Sequence, residues 1–143
     1  MPSWDHLDWH RCEEVFHNAT AIPQSPGAYA IRCAPQGKIA VIGRVFGPDK
    51  TGILCFGRTA ERTEGLRGRL TDFWRATGGM LAPHAEGRRY HSLCYGMKGF
   101  ARDTLEVGWE TGGSSEARQQ EAAWFCEYLA AFGELPPLNR KQG

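Results

Sequence analysis

Pro26-Gly27-Ala28-Tyr29-Ala30-Ile31-Arg32-Cys33 is the stretch on which the fold turns. Residues 27 to 34 alternate, with Tyr29, Ile31 and Cys33 on one face and Ala28, Ala30 and Arg32 on the other, which is the period of a strand. Pro23 and Pro26 end helix-forming potential ahead of it. Upstream, residues 3 to 19 carry Trp9, Cys12, Phe16 and Ala19 at helical spacing behind Ser3, a suitable N-cap, so they predict an N-terminal amphipathic helix. Downstream, a Pro35-Gln36-Gly37 turn leads into the β-branched run Ile39 to Val45. A second turn, Gly47 to Gly52, precedes Ile53-Leu54-Cys55-Phe56-Gly57, and the three segments predict an antiparallel meander.

From Leu66 to Thr77 the pattern Leu66, Leu70, Phe73, Trp74, Thr77 is helical, closed by Gly78-Gly79. A loop holding Pro83, Gly87, Arg88 and Arg89 is expected next, then strands at Tyr90 to Lys98 and Leu105 to Glu110. A last helix follows, capped by Ser114 or Ser115, with Ala122, Phe125, Leu129 and Phe132 as its buried stripe up to Gly133. Strands interleaved with helices, without the glycine fingerprint of a dinucleotide-binding unit, predict an α/β (α+β) fold with a small mixed sheet flanked by helices.

The chain has 143 residues, enough for one domain with a real core, and a formal net charge of only +1. Whole-molecule attraction to a polyanion is therefore weak, and any nucleic-acid affinity must come from a local basic surface. Cys12, Cys33, Cys55, Cys94 and Cys126 are odd in number and form no C-x-x-C pair, which fits reduced thiols and speaks against a disulfide framework or a zinc ribbon. No leader and no bilayer-spanning run is read in the sequence, so a soluble cytoplasmic protein without a membrane partner is expected.

Two charges fall on apolar helix faces. Arg69 lies three residues after Leu66 and four before Phe73, while Glu121 lies four before Phe125 at the edge of its helix's stripe. A buried charge left unpaired costs several kcal/mol, so each needs a partner: the other charge, a metal, or a phosphate oxygen. A structural salt bridge answers the same need.

Taken in order, Ile22-Pro23-x-x-Pro26-Gly27-Ala28-Tyr29, Cys55-Phe56-Gly57-Arg58-Thr59, Leu66-Arg67-Gly68-Arg69-Leu70, Glu116-Ala117 with Glu121, and Pro136-Pro137-Leu138-Asn139 resemble the motifs of the GIY-YIG nuclease family. The resemblance covers residues 22 to 140 and leaves 1 to 21 as an N-terminal helical extension of a single domain. It implies a three-stranded, mainly antiparallel sheet and a metal-dependent endonuclease that cuts phosphodiester bonds in DNA, with RNA the other polymer of the same chemistry. Under it, Glu121 ligates one Mg²⁺ or Mn²⁺ at the scissile phosphate. Tyr29 orients or deprotonates the attacking water, Arg69 holds the developing phosphoryl charge, Asn139 positions the phosphate or the glutamate, and Arg58 contacts or activates Tyr29. A hard cation suits a carboxylate, and neutralising anionic oxygens is what this hydrolysis needs.

The chain departs from the family at Cys55, which stands where a second tyrosine is usual, and at Phe73, four residues after Arg69, where relatives often carry tyrosine or histidine. A thiol cannot reproduce a phenol's reach, and losing one transition-state donor costs about 10²- to 10³-fold in rate. A slow nuclease is one reading; a catalytically inactive module that binds nucleic acid or protein is the other. Arg58, Arg62, His84, Arg88 and Arg89 are the candidates for gripping phosphates, joined by Arg67, Arg75 and His91 as a local basic surface. His6, His10, Glu13 and His17 line one face of the expected first helix, a solvated stripe with metal-ligand spacing. That helix caps an apolar face or pairs two copies as a homodimer; otherwise the chain is a monomer.

Overall fold

The computed structural model describes residues 2–59 and 64–141. Its strands are β1 (His10–Arg11), β2 (Gly27–Cys33), β3 (Ile42–Arg44), β4 (Gly47–Asp49), β5 (Ile53–Thr59) and β6 (Leu105–Thr111). Its helices are α1 (Cys12–Val15), α2 (Gly65–Thr77), α3 (Ala85–Ser92) and α4 (Ser114–Phe132), with short 3₁₀ turns between them. The main sheet has four strands in the order β1-β6-β2-β5, and every neighbouring pair is antiparallel.

Side-chain size along β2 sorts the two layers that cover it. On one face Tyr29, Ile31 and Cys33 meet Leu66, Leu70 and Phe73 of α2, Cys12 and Val15 of α1, and Tyr90 of α3. On the other, Ala28 and Ala30 are small, and the space above them is filled by Trp124, Phe125 and Tyr128 of α4, with Trp4 and Leu7 from the N-terminal segment. Phe56 of β5 sits at the centre of this aromatic group, 5.1 Å from Trp4, 5.5 Å from Trp124 and edge-on to Phe125 at 5.4 Å. Each such pair adds about 0.5–1.5 kcal/mol beyond its area.

The strand expected at 27–34 is present and ends at Cys33, the strand and helix expectations at 53–57, 66–77, 105–110 and the last helix agree with the structure, and others are corrected. The sheet has four strands rather than three, because residues 10–11 pair with the outer edge of β6, and among the described residues each of its pairs is antiparallel rather than mixed. The same pairing breaks the expected N-terminal helix. Its apolar residues divide, Trp4 and Leu7 going to the α4 side and Cys12 and Val15 to the α2 side, so one helix cannot serve both. His6 then faces Glu110 and His10 stacks on Trp109, and the expected histidine stripe does not exist.

The run Ile39 to Val45 does not enter the main sheet. Both edges of β2 are already taken by β5 and β6, and only Ile42–Arg44 is extended, paired with Gly47–Asp49 in a separate hairpin. The expected loop at 83–89 and strand at 90–98 are instead α3 and a 3₁₀ turn, Tyr95–Lys98. Gly87, placed in that expected loop, is a close-packing residue of α3: a Cβ there would lie 2.8 Å from Ala76 Cβ and 2.8 Å from the Phe73 carbonyl of α2. The buried stripe of α4 is Ala117, Glu121, Trp124, Phe125 and Tyr128, one position off the expected one, so Glu121 lies within it rather than at its edge. Gly113 and not a serine is its N-cap, and Gly133 closes it with a φ of 75°, the left-handed geometry that glycine adopts without penalty.

Two details place the site. A register shift between Ile31 and Arg32 pairs them with Cys55 and Ile53, leaving Leu54 as the bulged residue; Gly57 then lies opposite Tyr29 and Arg58 opposite Ala28. The outer edge of β5 is clasped by the C-terminal segment. Leu138 N donates to Leu54 O, while the Asn139 side chain accepts from Phe56 N at 3.0 Å and donates to Phe56 O at 3.1 Å. This covers an edge that would otherwise present unpaired backbone groups.

Candidate active site

A cavity of about 550 Å³ opens where β5 passes between α2, α3 and α4, and it takes side chains from both faces of the sheet. Tyr29, Gly57 and Arg69 come from one side, Arg58, Phe56, Phe125 and Glu121 from the other, and Glu86, Arg89, Asn139, Arg140 and Lys141 close the rim. Among the described residues five cationic side chains therefore face two carboxylates. That local excess is what the nearly neutral sequence could not provide on average, and it suits an anionic ligand.

Tyr29 is 1% exposed, and its ring lies directly over Gly57. A Cβ at residue 57 would stand 2.3 Å from both Tyr29 Cζ and Oη, so this glycine makes the tyrosine's position possible. Burial pushes the Tyr29 hydroxyl well above its ordinary pKa; Arg69 pulls it down, while Cys55, Glu86 and Glu121 push it up further. Its hydrogen-bond partner is His84 Nε2, 2.7 Å away.

Glu121 pairs with Arg58, Nε to Oε1 at 3.1 Å, and its carboxyl is held above the ordinary range by burial against the lowering effect of Arg58. Of the partners considered for the two helix-face charges, Glu121 has therefore taken not Arg69 but the guanidinium of Arg58 on the neighbouring strand. Arg58 turns to the α4 side, away from Tyr29, because successive strand residues alternate. Arg69 donates to Pro83 O at 2.7 Å, which anchors the segment that leads to His84 and leaves it half-buried at the cavity wall. Arg89 bonds to Leu138 O.

The other sequence candidates separate. Cys55 is fully buried among Tyr29, Leu70 and Phe73 and does not line the cavity; burial holds its thiol well above the ordinary range. His84 is buried with both ring nitrogens engaged, so it meets Tyr29 and not solvent. Arg88 is exposed, donates to Ala82 O and stays outside the cavity; Arg67 pins the segment before β2 through Ile22 O and Thr20 O. Arg62 lies outside the described residues. Sequence reasoning missed the Tyr29–His84 pair, Glu86, and the Arg140-Lys141 pair, although two cations directly after Asn139 were a legible signal.

Among the described residues there is no group of three or more His, Cys, Asp or Glu side chains able to hold a metal, and no helix long and apolar enough to cross a membrane. Against known protein families, curated proteins and solved structures, the chain finds no match.

Proposed function

We propose that the protein is a metal-dependent endonuclease that hydrolyses phosphodiester bonds in DNA in this cavity. The observation that carries the proposal is the convergence of Tyr29, Arg58, Arg69, Arg89 and Glu121, from five separate elements, on one cationic cavity in a chain of net charge +1. The ordered motif resemblance to GIY-YIG nucleases supports the same reading.

Arg69, Arg89, Arg140 and Lys141 bind and orient the phosphate, and Tyr29 contributes its hydroxyl. Glu121 is the carboxylate for a divalent cation. A single carboxylate does not fit an ion held by protein alone, but it fits Mg²⁺ or Mn²⁺, which keeps several waters and takes phosphate oxygens as ligands. Such an ion, when bound, supplies neutralisation of the scissile phosphate and a more acidic water. Arg58 must then release Glu121 and is free to reach the same phosphate.

The second reading, a binding module without catalysis, is favoured by the Arg58–Glu121 pair and by Asn139, whose amide is engaged at both ends by Phe56. Supercoiled plasmid incubated with Mg²⁺ or Mn²⁺, with DNA binding measured in parallel, separates the two. The expected outcome is nicking by the wild type that is lost in Glu121→Gln while binding remains. Binding without cutting under either ion selects the module, and absence of both removes the DNA assignment.

A further inference from the structure

His84 enters the core as the N-cap of α3, edge-on to Phe73 at 5.2 Å and against Tyr29. Its two ring nitrogens have partners of different kinds. The Gly87 backbone N–H, 3.1 Å from Nδ1, can only donate, so Nδ1 accepts. A neutral imidazole that accepts at Nδ1 carries its proton on Nε2. The ring is neutral, because burial and the Arg69 guanidinium push its pKa down to about 3. The Nε2–H therefore donates to Tyr29 Oη, and the phenol oxygen is the acceptor in that 2.7 Å bond.

The phenol keeps its own proton. Among the described residues His84 is the hydrogen-bond partner of that hydroxyl, and Tyr29 lines the cavity, so the Tyr29 O–H is left to donate towards the cavity. The charges that act on it from the surrounding elements are Arg69 of α2, Glu86 of α3 and Glu121 of α4.

We infer that His84 is a positioning residue that fixes Tyr29 as a neutral hydrogen-bond donor aimed into the cavity, complementary to an anionic oxygen of a phosphodiester. The identity of that ligand rests on the function proposed above; the tautomer and the direction of the bond do not. A tyrosine held in this way does not take a proton from water: its oxygen already accepts from His84, and the neighbouring imidazole has no free site for the phenol proton. Phe73, edge-on to His84, has a ring that cannot hydrogen-bond, and His84 brings the polar partner to Tyr29 from the N-terminus of α3.

Two measurements on the full chain test this. Long-range ¹H–¹⁵N correlation spectra, with the His84 signals assigned by their loss in His84→Asn, should give the neutral tautomer protonated on Nε2 from about pH 5 to pH 8. A proton on Nδ1, or an imidazolium, overturns the inference whether or not the protein binds DNA. Binding of a fluorescein-labelled duplex then reads the consequence. Tyr29→Phe removes the donor and His84→Asn keeps the α3 cap without reaching Tyr29; each should weaken binding about 10-fold, as expected for a bond to a charged oxygen. The double variant should be no weaker than Tyr29→Phe alone, since His84 acts through Tyr29, and His84→Gln, which returns an N–H near the Nε2 position, should recover part of the loss. Additive losses, or unchanged binding in Tyr29→Phe, contradict the inference. Absence of DNA binding in the wild type removes the phosphodiester assignment and leaves the spectra to decide the rest.

Discussion

At the scale of single residues, the site depends on what Gly57 lacks. Tyr29 occupies the volume that any Cβ at residue 57 would need, and its ring packs in the α2-side core at the wall of the cavity, so an added methyl must displace it. Gly57→Ala should therefore cost about 1–3 kcal/mol, the range for overpacking a dense core, and displace the hydroxyl from His84. Urea unfolding and the DNA-binding assay together check this: a stable variant with unaltered binding would show that Tyr29's placement is not what the cavity needs. The sequence carried Tyr29 and Arg69 legibly, and Glu121 to within one position of its helix's stripe, because period-two and helical spacing fix which way a side chain faces. It carried Cys55 and His84 poorly. Whether a buried residue lines a cavity or sits one layer behind it is decided by packing across the sheet, and spacing along one strand holds no record of that.

At the scale of elements, α4 and β5 are joined by the Glu121–Arg58 pair, whose carboxylate is 7% exposed. Burial raises the Glu121 pKa above the ordinary 4.5. The folded state then holds a proton that the unfolded state has released, over the pH range between the ordinary and the raised values. The stability this group contributes is full below the ordinary value and is lost as pH rises through the folded one, at up to about 1.4 kcal/mol per pH unit. Urea unfolding at a series of pH values should show the wild type gaining on Glu121→Gln as pH falls through that window. A difference that stays flat would mean that attraction to Arg58 cancels desolvation, and one that shrinks towards acid that it outweighs it; either contradicts the expectation. Most elements were legible where periodicity runs long, as in α2, α4, β2 and β6. The failures are short or have a decisive partner far away in sequence: α3 depends on His84 capping and on Gly87 fitting against α2, and the N-terminal segment is drawn into strand pairing by the free edge of β6.

At the scale of the molecule, a chain of net charge +1 concentrates cations around one cavity by bringing together, among its described residues, 58, 69, 89, 140 and 141. No window of sequence contains that cluster. It forms because the C-terminal segment clasps the edge of β5 through Leu138 and Asn139, a pairing across more than eighty residues that local propensity does not encode. The central claim is that this cavity is a phosphodiester-cleaving site with its cation on Glu121. Its most direct test is anomalous scattering from a crystal soaked in Mn²⁺ with a short DNA duplex. The account predicts a manganese peak about 2.0–2.2 Å from a Glu121 carboxylate oxygen, shared with a phosphate oxygen and with Arg58 drawn off the carboxylate. A cavity without manganese, with Arg58 still bound to Glu121 beside ordered DNA, would contradict it.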